Sequence, residues 1–295
     1  MTAALRTERL AKRYAKTWAL RDCTLSLPQG RVVALVGPNG AGKTTLLHLS
    51  VGLIRPTEGT VEVFGAPVEG TGTALRAQVG FVAQEHPLYR SFTVADLLRL
   101  GRSLNASWDQ ALAEERLDAL GIPLARRAGR LSGGQQVQVA LTLALAKRPR
   151  LLVLDEPVAN LDPLARRDFL RALMDAVAAD GLTVLLSSHV IAELERVCDH
   201  LILLRDGRVR LAADIDELLA GHRLLVGPRR PDDELATIPG LLRATSGARH
   251  TNLLIRTNGE MELHPRWQAH DVSLEEVVLA YLEQPEPAAS KEADT

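Results

Sequence analysis

Three short stretches of this sequence carry residue types whose spacing suits phosphate chemistry. The first is Gly37-Pro38-Asn39-Gly40-Ala41-Gly42-Lys43-Thr44, with the pattern G-x-x-x-x-G-K-[ST]. Gly40 and Gly42 let the backbone fold back so that its N–H groups face phosphate oxygens with no Cβ in the way. Lys43 is expected to neutralise terminal phosphates and Thr44 to offer a hydroxyl to Mg²⁺, with Gly37, Asn39, Ala41 and Thr45 completing the cradle. The second stretch, Leu151-Leu152-Val153-Leu154-Asp155-Glu156, is an apolar run that ends in adjacent carboxylates. Charge at the end of a buried strand is unfavourable unless something compensates it. Asp155 is therefore expected to hold Mg²⁺, directly or through water, and Glu156 to act as general base for an attacking water. The third stretch is Leu131-Ser132-Gly133-Gly134-Gln135, which leads into a helical pattern from Val137 to Ala146. It makes a second anion-binding helix start. Ser132 lies 89 residues beyond Lys43, too far along the chain to belong to the same loop. The first two motifs together imply Mg-dependent hydrolysis of a nucleoside triphosphate.

The elements that must position these residues can be read around them. Arg31–Val36, Leu151–Leu154 and Thr183–Ser187 read as buried strands, and Lys43–Val51 and Pro163–Ala179 as helices. Buried strands alternating with helices imply a parallel α/β core. Leu20–Leu27 and Thr60–Phe64 suggest an antiparallel edge sheet. Between about Thr93 and Arg127 strand signals give way to three helical patterns, expected to form a lobe of their own over residues 93–135. The composition shifts near Gly221, and Gly227-Pro228-Arg229-Arg230-Pro231 resembles a linker. Beyond it, Leu253–Arg256 suits a strand of a small α/β unit. Asp271–Glu283 suits a helix capped by Ser273, with Glu276 closing a capping box and Leu274, Val277, Val278 and Tyr281 on one face. The expected fold is thus α/β: a P-loop NTPase core with an antiparallel β edge and an α-helical lobe, plus a small C-terminal α/β unit. The expected bounds are 1–221 for the nucleotide-binding domain, 222–284 for the small unit and 285–295 for a disordered tail.

Composition bounds what else the chain can do. Its 295 residues suit two domains, and 46% hydrophobic content is enough for a full core. The 35 basic residues, 30 of them Arg, nearly balance 36 acidic ones, so no global field steers the chain toward nucleic acid. Arg126-Arg127 and Arg229-Arg230 are scattered pairs that read as solvated surface. Cys23 and Cys198 form neither a disulfide framework nor a metal cluster, and suit inert core thiols. Met1–Tyr14 holds no apolar stretch, so no signal peptide is expected. Nowhere do 18 apolar residues run without charge, so no membrane span is expected either, and the chain reads as cytoplasmic.

With all three motifs in this order, residues 4–215 resemble the ATP-binding subunit of an ABC transporter. The resemblance implies two nucleotide domains that sandwich two ATP molecules head to tail, each phosphate loop facing the other subunit's Ser132, Gly133, Gly134 and Gln135. By the same resemblance Tyr14 would stack on adenine, and Gln84, in Phe81-Val82-Ala83-Gln84, would sense Mg²⁺ and the attacking water. Asp162, in Asn160-Leu161-Asp162, would touch the opposite subunit, and His189, in Ser187-Ser188-His189, would contact the γ-phosphate. The chain departs from the family pattern at Gln136, Val137, Gln138 and Leu143, where basic residues are usual, and in Val158-Ala159-Asn160, where a small hydroxyl is frequent. Neither departure removes a catalytic group.

The partners implied are a separate integral membrane permease and a second ATP-binding subunit, identical or related, with ATP and Mg²⁺ as cofactors at the cytoplasmic face of the membrane. Pro87, Leu88, Tyr89, Phe92 and Val94 are the expected apolar dock for the permease. The short C-terminal unit is similar to that of ABC-2-type exporters of drugs, peptides or lipids; an importer subunit is the alternative. Rival classes are a soluble ABC ATPase acting on ribosomes or nucleic acid, and a P-loop kinase or G protein. The 47 residues between Gln84 and Leu131 leave no room for the long coiled coil of DNA-repair ATPases, and the guanine-specific Asn-Lys-x-Asp is missing.

Overall fold

The computed structural model describes residues 3–69, 72–85, 87–159, 161–229, 235, 238–247, 250–257 and 266–284. The chain divides into two compact units, Met1–Ala212 and Ala213–Thr295. The centre of the first unit is a six-stranded sheet of β3 (Val32–Val36), β6 (Val79–Val82), β7 (Leu151–Leu154), β8 (Thr183–Ser187), β9 (His200–Arg205) and β10 (Arg208–Asp214). Its spatial order is β10-β9-β3-β8-β7-β6, and the pairs β9–β3, β3–β8, β8–β7 and β7–β6 are all parallel. β3, β7 and β8 are buried throughout, which is why each reads as an unbroken aliphatic run.

Helices link these strands. α1 (Lys43–Ser50) follows β3, and α2 (Gly72–Gln78) precedes β6. α6 (Pro163–Asp180) joins β7 to β8, with Asp162 as its cap and Pro163 in its first turn. It ends where Gly181 adopts φ 62°, a left-handed conformation that glycine reaches without strain. Phe169 and Leu173 anchor it in the interior. A short α7 (Ile191–Leu194) follows β8.

A second, antiparallel sheet packs beside this core. It consists of β1 (Ala3–Tyr14), β2 (Thr17–Pro28), β4 (Glu58–Val63) and β5 (Ala66–Pro67), in the order β2-β1-β4-β5. Alternate residues such as Leu5, Leu25, Leu27, Val61 and Val63 join the same apolar cluster as Leu46, Leu47, Val153 and Leu185. One continuous core therefore couples the edge sheet to α1. β1 carries too many charges to read as a strand by itself.

The helical lobe holds α3 (Val94–Leu104), α4 (Gln110–Ala119) and α5 (Gly133–Ala146) around a separate cluster that includes Val94, Leu97, Leu98, Leu117 and Val139. Thr93 and Asp96 close a capping box at α3, and hydrogen bonds from Thr93, assisted by Arg99, hold the Asp96 carboxyl down at about 2. Only two helices lie between Thr93 and Arg127, not three. Gly121 at φ 62° and Pro123 break the third pattern, and Leu124 O and Arg126 O instead accept N–H bonds from Ala95 and Val94.

The second unit is a four-stranded sheet of β11 (His222–Pro228), β12 (Leu241–Ser246), β13 (His250–Arg256) and β14 (Gln268–His270), ordered β12-β13-β11-β14. Among the described residues it also holds the helices α8 (Ile215–Ala220) and α9 (Leu274–Glu283). The helix expected from Asp271 begins at Leu274, because Ser273 takes the extended conformation of a cap and closes a box with Glu276. Gly227 and Pro228 lie within β11 and pair with Thr251 and His250, so the linker expected there does not begin at Gly227; Arg230 and Pro231 lie outside the described residues. The expected tail, 285–295, also lies outside them. Cys23 and Cys198 are both buried; burial raises the Cys23 thiol and pushes Cys198 up to about 12, as inert thiols require. No helix among the described residues is long and apolar enough to cross a membrane.

Candidate functional site

In a parallel sheet, loops leaving the carboxyl ends of adjacent strands meet along one edge. Here that edge carries, in spatial order, the phosphate loop after β3, His189 after β8, Asp155 and Glu156 after β7, and Gln84 just beyond β6. Four motifs scattered over the sequence thus become neighbours.

The loop is held by close backbone approaches that only glycine permits. A Cβ on Gly37 would lie 2.2 Å from Leu204 O, and one on Gly42 (φ 102°) would lie 2.5 Å from Ala19 O. The second contact also brings the β1–β2 hairpin against the loop. Tyr14, at the tip of that hairpin, is half exposed, with Lys12 Nζ 5.3 Å from its ring centre. Asn39 and Gly40 are exposed, Ala41 is buried, and Thr44 is exposed in the first turn of α1 beside half-buried Thr45.

Lys43 is buried and turns back on its own loop. Its Nζ donates to Gly37 O at 2.8 Å and lies 3.8 Å from Glu156 Oε1. The other oxygen of Glu156, Oε2, is 2.7 Å from His189 Nδ1. A carboxylate accepts, so Nδ1 carries the proton and Nε2 is the ring nitrogen left to meet a ligand. The lysine, the acid and the histidine form one connected set.

Asp155 differs in its surroundings. It is 2% exposed, and its Oδ1 accepts the Ser187 hydroxyl at 2.7 Å. No cationic side chain among the described residues pairs with it. A buried carboxylate without a cation, together with the exposed Thr44 hydroxyl on the same sheet edge, suits a hard metal ion with oxygen ligands. Gln84 is exposed at this edge.

The Ser132 motif lies elsewhere, at the start of α5 in the helical lobe. Ser132 Oγ accepts from Gln135 N–H at 3.2 Å, and Gln135 Oε1 accepts from Ser132 N–H at 3.1 Å. This box stiffens the helix start and leaves Gly133 with open space around it. Leu131 and α1 belong to different apolar clusters, so the two anion-binding helix starts rest on different cores. Asp162 Oδ1 accepts from Leu164 and Ala165 N–H at 3.0 Å. Asn160 lies outside the described residues.

A family model described as "ABC transporter" matches residues 20–159, and one described as "AAA domain, putative AbiEii toxin, Type IV TA system" matches residues 125–195. The ABC transporter ATP-binding protein YtrB of Bacillus subtilis (strain 168) is 30% identical over 281 residues, which cover 92% of this chain and 95% of that protein. The chain belongs to the ABC transporter ATP-binding family. The phosphonates import ATP-binding protein PhnC of Stutzerimonas stutzeri is 36% identical over 231 residues, covering 71% of this chain and 84% of that one. A solved dimeric ATP-binding cassette in a post-hydrolysis state, bound to ADP and Pi, superposes with a TM-score of 0.64 at 26% identity, over 72% of this chain and 98% of its own.

The family is one of ATPases, and its fold is the P-loop core with antiparallel sheet and helical lobe seen here. Two of the departures in α5 have plain local roles. Leu143 packs on the lobe core, and Gln136 Nε2 donates to Leu131 O at 3.0 Å. Gln138 is buried, and its Oε1 has no hydrogen-bond partner among the described residues. The expected permease dock needs correction at Val94, which is fully buried in the lobe core, and at Leu88, which packs against that core. Pro87 and Tyr89 are well exposed, and Phe92 is partly so, with its ring 5.1 Å from that of Tyr89. Sequence reasoning missed Ser187 as a site residue. Its signal was a small hydroxyl ending an aliphatic strand beside a strand that ends in acids.

Proposed function

We propose that the chain is a Mg-dependent ATPase subunit that powers a separate membrane permease from the cytoplasmic face, in an exporter of drugs, peptides or lipids. The reading rests on one observation above the rest: a phosphate loop, two buried acids and a histidine share one sheet edge, while the Ser132 helix start rests on a different core. A site completed by a second subunit uses both features.

Each residue then has a task. Tyr14 stacks on adenine, and Gly37, Asn39, Gly40, Ala41, Gly42, Lys43, Thr44 and Thr45 cradle the phosphates. Thr44, Asp155 and Gln84 would hold Mg²⁺, which would neutralise charge on the phosphate oxygens. Glu156 takes a proton from the attacking water, and His189, held by Glu156 through Nδ1, presents Nε2 to the γ-phosphate. Ser132, Gly133, Gly134, Gln135 and Asp162 serve the site of the opposite subunit. The first unit, which ends at Ala212 rather than at the expected residue 221, acts as the nucleotide-binding domain with its lobe about 93–135; α8 goes with the small C-terminal unit, and the exposed rings of Tyr89 and Phe92 meet the permease. Export is our reading of the short C-terminal unit, which is too small for the larger regulatory domain of many importers. The PhnC match keeps import as the second reading.

Complementation in trans tests the shared site. Lys43→Ala damages the phosphate loop and Ser132→Arg the opposing helix start, so each homodimer should be inactive. In a mixed dimer both lesions fall on one composite site, and the other pairs an intact Lys43 with an intact Ser132. Mixing should restore activity toward one site's worth per mixed dimer. No recovery, together with no ATP-dependent crosslink between cysteines placed at Ser132 and Gly37, would refute the shared site.

A further inference from the structure

The two acids after β7 are tied to each other through a residue on the neighbouring strand. β7 and β8 pair with Leu154 opposite Leu186, which sets Ser187 beside Asp155. Ser187 is fully buried. A serine hydroxyl has one hydrogen and two lone pairs. Here the hydrogen goes to Asp155 Oδ1 at 2.7 Å, and a lone pair accepts the backbone N–H of Glu156 at 2.8 Å. Among the described residues nothing else engages the Asp155 carboxylate through a side chain.

Glu156 itself adopts φ 46°, a left-handed conformation disfavoured for any residue with a Cβ. Such a conformation persists only where the surroundings over-determine it. The Ser187 bond to its N–H is one such constraint, and losing it would leave a buried donor unpaired. The conformation matters because it carries the Glu156 carboxylate to His189 and Lys43.

We propose that Ser187 is a positioning residue for hydrolysis. Its one hydroxyl commits Oδ1 of Asp155, leaving Oδ2 to the metal ion, and holds the Glu156 backbone in the conformation that aims the base. This inference rests on the roles assigned to Asp155 and Glu156 above.

The full-length protein with ATP and Mg²⁺ provides the test. Ser187→Ala should lower kcat by roughly tenfold to a hundredfold, the range for a catalytic group displaced by about 1 Å. The KM for ATP and the affinity for a fluorescent ATP analogue in EDTA should stay at parental values, because the phosphate loop is untouched. The Mg²⁺ concentration needed for half-maximal tightening of that analogue should rise, a binding readout independent of turnover. Ser187→Thr keeps the hydroxyl and should recover kcat. In single turnovers, adding Ser187→Ala to Glu156→Gln should cost far less than it does alone, since the base it aims is already gone.

Parental kcat and Mg²⁺ response in Ser187→Ala would overturn the proposal. So would a full additive loss in the double variant, a Thr variant as slow as the Ala variant, or metal-free nucleotide binding that falls in step with kcat, which marks a folding role. Normal turnover by Glu156→Gln alone would instead remove the assignment of the base, so the two failures are distinguishable.

Discussion

At the scale of single residues, Lys43 and Glu156 face each other across 3.8 Å yet should fail differently. Glu156→Gln keeps the shape of the side chain and leaves the phosphate loop intact, while removing the proposed general base. Turnover should fall by about 10²–10⁴, the usual loss with a general base, while ATP binding persists. Lys43→Ala removes a buried ammonium that bonds Gly37 O and faces Glu156. It should weaken ATP binding itself and leave the Glu156 carboxylate with one partner fewer. Titration with a labelled nucleotide beside a phosphate-release assay separates the two; an unchanged ATP affinity in Lys43→Ala would contradict the cradle. Motif and order named Glu156, Lys43 and His189 as candidates, and the structure brings the three together. Their mutual contacts were not legible, because those depend on which strands lie side by side, and β3, β8 and β7 are neighbours in space but far apart in the chain. Ser187 was hidden for the same reason.

At the scale of elements, burial helped but did not suffice: the buried run Leu201–Leu204 of β9 was not read as a strand. β3, β7 and β8 are covered on both faces and read as aliphatic runs, and α6 and α9 announce themselves by their caps. β1 was illegible because one of its faces is wet: Arg6, Glu8 and Arg9 are exposed between buried Leu5, Thr7 and Leu10. The apolar residues from Leu117 to Leu124 mimic a continuing helix, but Gly121 and Pro123 stop it. In the second unit, a polar cluster between α8, β11 and α9 was also illegible. His222 is buried, its Nδ1–H donates to Leu218 O at 2.6 Å, and its Nε2 lies 3.2 Å from the Tyr281 hydroxyl, which therefore donates to it. Burial lowers the His222 pKa below its ordinary 6.5; the Leu218 carbonyl opposes this and the nearby charge of Arg256 adds to it. The unfolded chain then binds a proton more readily than the folded one. The stabilisation is full above about 6.5 and declines as pH falls through the ordinary range toward the lowered folded value. Amide exchange of β11 and β13, corrected for intrinsic rates, should show weaker protection at about pH 5.5 than at about pH 7.5, and His222→Gln should flatten that difference. Equal protection in the parent at both pH values would show that His222 does not govern this unit.

At the scale of the whole molecule, the Ser132 helix start and the phosphate loop rest on separate cores, and the proposed cycle joins them only between subunits. ATP should therefore act as the glue of a dimer. In Glu156→Gln, where hydrolysis cannot reopen the pair, ATP should shift the mass seen by light scattering from one chain toward two, at concentrations where the nucleotide-free protein is monomeric. ADP should not. An identical mass with and without ATP would count against the sandwich. The nearly balanced charge of the chain, −1 overall, fits such reversible contact, since neither copy strongly repels the other.

The way Lys43 is held within the chain bears on how the protein lets go. Its ammonium is already satisfied by Gly37 O and faces Glu156, so an arriving phosphate trades one set of partners for another. The side chain is spared most of the ordering that a freely swinging lysine would undergo, and the loop is shaped before its guest arrives. In the proposed ATPase, the Gly37 carbonyl and the Glu156 carboxylate keep partners for this buried ammonium within the loop itself, so its charge need not be stranded when phosphate is exchanged.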